Sequence, residues 1–248
     1  MKIGISALLY NLKEALEICK EENIAHIEIG IDNLEECNEL LTYKDDFNKL
    51  DLSIGIHLPM ELNACENINH IRKSWVDFVN RINQQLNALD IKYINMHLGY
   101  AMTNRLNNNR QKYLDNALNF FNNDKLDKDI TITIENTYSN DGDFSNIGNK
   151  LKDFEYIFKS AKKDNLYFCY DTGHYLINKD RYLQSLREKI KVVHISDNDG
   201  IKDTHIGIGK GILEKEHIKS VIEIDPEYLI LEINYIDIKD TLIVLRNL

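Results

Sequence analysis

Residues 192–211 read VVHISDNDGIKDTHIGIGKG, and the fold prediction starts from this stretch. It begins as an apolar run that ends in His194, which is typical of a strand with a metal-binding imidazole at its carboxyl end. A turn-rich segment follows, and then Asp203 and His205, two residues apart. In an extended segment such residues point to the same side, so both can reach one ion. Two ligand groups joined by a tight turn predict a site that holds more than one metal ion.

Strand-like and helix-like segments alternate on both sides of this stretch. The strand candidates are short and rich in β-branched and aromatic residues, and they span residues 2–7, 26–30, 52–58, 93–99, 130–136, 166–172, 190–197 and 228–234. Amphipathic stretches with helical spacing lie between them, for example at 12–22, 71–89, 111–122, 150–163 and 214–222, and 238–248 closes the chain.

The composition does not shift along the chain, so we predict one domain, residues 1–248, folded as a single (β/α)8 TIM barrel of the α/β class. The alternative is an open doubly wound sheet. That fold needs a phosphate-binding glycine turn after the first strand, and residues 6–10, SALLY, contain no glycine. Two connections stand out as loops, the asparagine-rich residues 104–109 and the irregular residues 137–149.

Composition bounds the class of protein. The length of 248 residues is normal for one such barrel. The formal net charge of −10 weighs against non-specific nucleic-acid binding. The four cysteines show no paired spacing, which favours reduced thiols, and no apolar run has the length of a membrane span. We therefore expect a cytoplasmic protein that does not bind membranes.

Imidazoles and carboxylates recur at the predicted strand ends. They are Glu28, His57, His97, Glu135, Asp171, His174, His194 and Glu232. In a (β/α)8 barrel the carboxyl ends of the strands form one rim, where active sites lie. Each residue alone is more often a hydrogen-bonded structural residue. Crowded together, however, such groups would need divalent cations between them. The set predicts a divalent metal site for Zn²⁺, with Mn²⁺ or Fe as alternatives.

These motifs give the chain a family resemblance. It resembles the xylose isomerase-like TIM-barrel superfamily and, within it, endonuclease IV most of all. That family holds three zinc ions with nine ligands, and each ligand has a counterpart in this chain. The resemblance implies that His57 and His97 hold one ion and that Glu135 bridges to a second. The remaining implied ligands are Asp171, His194 and Glu232 for the second ion, and His174, Asp203 and His205 for the third.

The single-metal sugar isomerases and epimerases of the superfamily are the alternative. They need only Glu135, Asp171, His194 and Glu232, and the two glutamates typically also act as acid and base, which makes Glu135 and Glu232 the catalytic candidates. Four ionised carboxylates, at Glu135, Asp171, Asp203 and Glu232, carry four negative charges. One divalent ion leaves a net charge of −2, which suits a neutral ketose, whereas three leave +2, which suits a phosphate.

The chain also departs from endonuclease IV. The loops at residues 31–36 and 58–63 carry neither a cation nor a stacking ring where that family grips DNA, and Gly173 stands where the family usually has cysteine. A small phosphorylated or sugar substrate is therefore favoured over DNA. The candidate substrate-binding residues are Glu28, Tyr100, Arg105, Tyr138 and Lys210.

Three functions follow from these observations. The favoured one is hydrolysis of a phosphoester by a trinuclear site, with chemistry similar to that of an apurinic endonuclease. The second is isomerisation or epimerisation of a sugar or sugar phosphate at one ion. The third is a metal-containing binding protein without catalysis, which would have a rim too narrow or too covered for a ligand.

Overall fold

Eight parallel strands close into a barrel in the computed structural model, which describes residues 1–139 and 142–248. The barrel strands are β1 (Lys2–Leu8), β2 (His26–Gly30), β3 (Ser53–His57), β4 (Ile91–Met96), β6 (Ile132–Glu135), β8 (Leu166–Asp171), β9 (Ile190–Ile195) and β10 (Tyr228–Leu231). Each pairs in parallel with its neighbours, and β1 closes the ring by pairing with β10. The predicted single (β/α)8 barrel is confirmed.

Helices follow the strands around the outside of the barrel. They are α1 (Leu12–Glu22), α2 (Leu34–Leu41), α3 (Lys44–Lys49), α4 (Asn69–Gln85), α5 (Thr103–Phe121), α6 (Leu151–Ser160), α7 (Thr172–Ile177), α8 (Tyr182–Ser185), α9 (Lys215–Ile224) and α10 (Ile238–Arg246). The helix predicted at residues 12–22 has the same bounds as α1. In the part of the chain that the structure describes, no helix is both long and apolar enough to span a membrane.

Side chains alternate between two buried environments along each strand. Ile27 and Ile29 of β2 belong to the large apolar core that also contains helix residues such as Leu12. The alternate residues, His26 and Glu28, lie in the barrel interior, where both side chains contact Tyr93 of β4. Because the side-chain period of a strand is two, this alternation separates the packing residues from those that can reach a central site.

Where the structure describes them, one loop prediction was wrong and a second was wrong in part. Residues 104–109 lie inside α5, with a kink at Asn109, because Leu106 is buried and its packing outweighs the weak helix propensity of asparagine. In the predicted loop 137–149, β7 (Phe144–Ile147) pairs antiparallel with β5 (Gly99–Met102). Residues 140 and 141 of that loop lie outside the described residues.

Candidate metal centre

The predicted ligands lie at the carboxyl ends of six barrel strands. His57, Glu135 and Asp171 are the last residues of β3, β6 and β8, and His194 is the second-last residue of β9. Others follow their strands directly, His97 after β4 and Glu232 after β10, while His174 lies in the first turn of α7. Because parallel strands point the same way, these scattered positions meet at one rim.

Glu135 is at the centre of this cluster. Its Oε2 atom lies 3.3 Å from Nε2 of His57, and its Oε1 atom lies 3.5 Å from Nε2 of His97. On the other side, Nδ1 of His194 is 3.4 Å from Oε2, and Nδ1 of His174 is 3.2 Å from Oε1. A carboxylate with Nε2 of His57 and His97 on one side and Nδ1 of His194 on the other can bridge two metal ions.

A second group forms around His194. Its Nδ1 atom lies 2.8 Å from Oε2 of Glu232 and 3.9 Å from Oδ2 of Asp171. The ligand atoms of Glu135, Asp171, His194 and Glu232 all lie within 4.8 Å of one another. The ligand atoms of His57, His97 and Glu135 meet the same limit. Each group has the donor number and proximity that one divalent ion needs.

A third group meets at Asp203. Its Oδ2 atom lies 3.1 Å from Nε2 of His174 and 3.2 Å from Nε2 of His205. The loop that carries Asp203 and His205 is closed by an antiparallel bridge between Asp197 and Ile206. All nine side chains that the resemblance implied as ligands are therefore brought together.

Hydrogen bonds to the main chain orient three of the histidines. The Nδ1 atoms of His57, His174 and His205 hydrogen-bond with backbone carbonyl oxygens at 2.8, 2.8 and 2.9 Å. A carbonyl oxygen only accepts, so each Nδ1 carries a proton, and Nε2 is the nitrogen of each ring that can give its lone pair to a metal ion. This is the second interaction that metal-binding histidines usually make.

Asn95 and Thr133 support the central glutamate, and the sequence motifs did not predict this role. The Asn95 amide donates a hydrogen bond to Oε2 of Glu135 at 2.5 Å, and Thr133 donates its hydroxyl to the Asn95 carbonyl oxygen at 2.7 Å. Both are fully buried polar residues, Asn95 second-last in β4 and Thr133 second in β6. Asn95 lies two residues before His97, and this strand period is the signal that could have revealed it.

The charges of the buried groups favour cations. Burial raises the pKa of Asp171 to about 7. Burial also raises the pKa of Glu232, but the charge of nearby His194 outweighs it and holds the value at about 2. For His57, burial lowers the pKa, but the neighbouring charge of Glu135 raises it to about 9. Without metal, the protonated imidazole of His57 balances part of the negative charge of the carboxylates.

Buried ligand atoms that lack a hydrogen-bond partner indicate whether metal ions fit this site. Four buried ligand atoms make no hydrogen bond to the described residues, namely His97 Nε2, Asp171 Oδ2, His194 Nδ1 and Asp203 Oδ1. Buried polar atoms are nearly always satisfied in native proteins, so four together require an explanation. Imidazole nitrogens and carboxylate oxygens are ligands for Zn²⁺ and similar divalent ions. The donor set therefore fits such ions.

A cavity of about 640 Å³ opens beside the cluster. The site residues His57, His205 and Glu232 line one side of it, and Glu14 and Asp32 lie elsewhere in its wall. The described residues that line it include neither lysine nor arginine. A ligand in this cavity meets carboxylates, imidazoles and apolar side chains, so positive charge at the site has to come from bound ions.

The candidate substrate-binding residues are dispersed. Glu28 lines the cavity, and the ring of Tyr138 lies 5.2 Å from the His174 ring. Lys210 forms an ion pair with Asp237 at 2.6 Å and does not line the cavity. Tyr100 and Arg105 line a separate cavity of about 160 Å³. Only Glu28 and Tyr138 are thus brought next to the metal-ligand cluster.

Comparisons with known proteins agree with this architecture. A model of the xylose isomerase-like TIM barrel family matches residues 16–247. An uncharacterised protein of Methanocaldococcus jannaschii is 30% identical over 238 residues, covering 88% of this chain and 86% of its own. The "Probable endonuclease 4" of Haloquadratum walsbyi is 26% identical over 198 residues, covering 71% of this chain and 68% of its own.

Solved structures share the fold at lower identity. A D-tagatose 3-epimerase-like protein superposes with a TM-score of 0.79 at 24% identity, covering 100% of this chain and 99% of its own. The 3-keto-D-glucoside 4-epimerase of E. coli superposes with a TM-score of 0.76 at 18% identity, covering 100% of both chains. At this level of identity the likeness establishes the barrel and not the reaction.

Proposed function

The chain belongs to the xylose isomerase-like TIM barrel family, and on this premise we propose that it is a divalent-metal enzyme that hydrolyses a phosphoester at a site for up to three ions. Zn²⁺ is the proposed metal, with Mn²⁺ or Fe as alternatives. The proposed ligands are the nine side chains at the rim, and the proposed substrate is a small phosphorylated molecule.

The contact of His174 and His205 with Asp203 is the observation that carries this proposal. A one-ion site needs only the ligand group that contains His194. The side chains of His174, Asp203 and His205 are not needed there, and their proximity is explained if they hold another ion. Three divalent ions bring six positive charges to four ligand carboxylates and leave a net charge of +2. Because the described residues that line the adjoining cavity include neither lysine nor arginine, this charge is the attraction available to a phosphate.

Bound divalent ions would lower the pKa of water and stabilise charge on a phosphoryl group. The protein side chains supply the geometry. Asn95 holds the carboxylate of Glu135 in one orientation between the imidazoles. The Glu232 side chain is 25% exposed and lines the cavity, so it can accept a proton from an attacking water. The backbone carbonyls bound to His57, His174 and His205 keep their Nε2 atoms directed at the site.

Sugar epimerisation or isomerisation at one ion is the second candidate. The compact four-ligand group of Glu135, Asp171, His194 and Glu232 favours it, and so does the acidic cavity, which suits hydroxyl groups. The two solved structures compared above are named as a sugar epimerase and an epimerase-like protein. In this reaction Glu135 and Glu232 would move the proton at the carbon centre. The open cavity weighs against the third reading, a binding protein without catalysis.

Metal stoichiometry separates the two reactions. The purified protein should bind up to three Zn²⁺ per chain, and the double variant Asp203→Ala/His205→Ala should bind one fewer. The exposed His70→Ala variant is the control and should bind as many as the wild type. A content of one ion, unchanged in the double variant, would favour the sugar reaction. Turnover of a phosphodiester, an abasic-site duplex and a ketose panel then tests the substrate class.

A further inference from the structure

A line of buried polar side chains runs through the barrel interior below the metal ligands. We call Ser53, His26, Tyr93 and Glu28 the interior column. These residues are at most 2% exposed. Ser53 and His26 begin β3 and β2, at the end of the barrel opposite the rim. Barrel interiors are ordinarily filled by branched apolar side chains, so this polar line needs a reason.

The hydrogen bonds of the interior column run in one direction. Tyr93 donates its hydroxyl to Oε2 of Glu28 at 2.7 Å. The Tyr93 oxygen can then accept from Nε2 of His26, 3.1 Å away. This leaves Nδ1 of His26 as an acceptor for the Ser53 hydroxyl at 2.9 Å. The Ser53 hydroxyl also donates to the Ala25 carbonyl oxygen at 3.3 Å and accepts from Nζ of Lys2 at 3.3 Å, so the column runs from these groups to the carboxylate of Glu28.

Two glycines leave room for the column. A Cβ atom on Gly55 would lie 2.5 Å from Cζ of Tyr93, and one on Gly4 would lie 2.9 Å from Cδ2 of His26. Both glycines are beside the column in the sheet, Gly4 opposite His26 and Gly55 opposite Tyr93. Any side chain at these positions would displace a ring, so the interior is shaped around the two rings.

Glu28 connects the column to the metal ligands. Its Oε1 atom lies 2.9 Å from Nε2 of His194, although the ring is turned so that this contact is not an aligned hydrogen bond. The Nδ1 atom of His194 faces Glu135, Asp171 and Glu232. His194 therefore differs from His57, His174 and His205, which present Nε2 and are held by backbone carbonyls.

We propose that Ser53, His26 and Tyr93 are positioning residues of the metal site. They hold Glu28 so that it keeps the proton of His194 on Nε2 and leaves Nδ1 free to bind a metal ion. The main chain moves less than a side chain, so His57, His174 and His205 need no such support. The inference rests on the proposed metal site but not on which reaction the site performs.

The variant Tyr93→Phe removes the one oxygen that joins His26 to Glu28. Its matched control is Tyr228→Phe, because the hydroxyl of Tyr228 is not part of the column. The Tyr228 ring lies in the same interior, with its centroid 5.2 Å from that of Tyr93 and 4.4 Å from that of His26. Competition with a chromogenic chelator measures Zn²⁺ affinity. We expect Tyr93→Phe to bind the ion held by His194 about 10- to 100-fold more weakly and Tyr228→Phe to bind like the wild type.

Two further readouts separate positioning from folding. Thermal unfolding of the metal-free variants reports stability alone. Long-range ¹H–¹⁵N NMR of the zinc-loaded protein should show the proton of His194 on Nε2 in the wild type and a disturbed signal in Tyr93→Phe. If Tyr93→Phe does not fold, Glu28→Gln is the second variant and should weaken zinc binding in the same way.

A wild type without zinc binding overturns the proposed function and this inference together, whereas equal affinity in Tyr93→Phe and Tyr228→Phe overturns this inference alone.

Discussion

Oδ2 of Asp203 lies 3.1 Å from Nε2 of His174, although 29 positions separate the two residues in the sequence. The contact joins the loop after β9 to the first turn of α7. It depends on the backbone of Gly173, on the loop that carries Asp203, and on the central carboxylate that His174 also contacts. Each of these dependences can be tested.

Gly173→Ala should remove one bound ion. A Cβ atom at this position would overlap Oγ of Ser196 and lie 2.9 Å from Oδ1 of Asp203. The Asp203 carboxylate therefore has to move away from His174, whereas Oδ1 of Asp171, 3.3 Å from the same Cβ, has to give by only a few tenths of an ångström. Zinc content by mass spectrometry should fall by about one ion per chain. Gly142→Ala is the control, because among the described residues beyond its chain neighbours the nearest atom to a Cβ there is Phe144 O, at 3.9 Å. Unchanged zinc content in Gly173→Ala would contradict the expectation.

Asp197→Ala should disorder the loop that carries Asp203 and His205. The buried Asp197 carboxylate accepts hydrogen bonds from the backbone N–H groups of Gly209, Gly211 and Leu213 at 3.1, 3.0 and 2.8 Å. Losing an acceptor for several partly buried donors should destabilise the protein by about 3 kcal/mol. Denaturant unfolding measures the loss, and hydrogen exchange should locate it in residues 197–213. Asp197→Asn keeps one acceptor oxygen and should lower the free energy of unfolding less. Equal losses in both variants would refute the argument.

Asn95→Asp should weaken metal binding without changing the size of the side chain. The substitution replaces the donor to Oε2 of Glu135 by a second carboxylate. Two buried carboxylates in contact repel each other, and Glu135 loses its fixed orientation. We expect zinc affinity to fall about 10- to 100-fold, as measured by chelator competition. Thr133→Val removes only the support of Asn95 and should have a smaller effect. A larger effect for Thr133→Val than for Asn95→Asp would argue against this reading.

His26 should make the protein sensitive to acid. Burial lowers the pKa of His26 from 6.5 to about 3. Between these two values the unfolded chain binds more protons than the folded protein, so stability is present above pH 6.5 and is lost as the pH falls. The loss is about 1.4 kcal/mol per pH unit.

His26→Gln should remove this slope. Chemical unfolding of the metal-free proteins at pH 7 and pH 5 gives the change in stability for each. The wild type should lose about 2 kcal/mol more than the variant over this interval. The buried carboxylates of the metal site contribute to both proteins and cancel in the difference. Parallel pH curves for wild type and variant would show that His26 does not carry the effect.

The amino-acid sequence by itself determined the barrel and the identity of the rim residues. Strand alternation is a local property with a period of two, and a polar residue at a strand end is visible as a break in an apolar run. The confirmed barrel of β1–β4, β6 and β8–β10 follows from such patterns, and so does the convergence of His57, Glu135 and Asp171. At residues 104–109 the packing of buried Leu106 outweighs the weak helix propensity of asparagine, so this segment is helical.

Only the tertiary structure decided how each ligand is held. Which nitrogen of His57 or His194 faces the site depends on the carbonyl of Leu58 in one case and on the carboxylate of Glu28 in the other. The amide of Asn95 acquires its role through a glutamate 40 residues away. Hydrogen-bond partners of this kind are set by three-dimensional distance and angle, which no local pattern encodes. The sequence therefore specified the donors, and the fold specified their orientation.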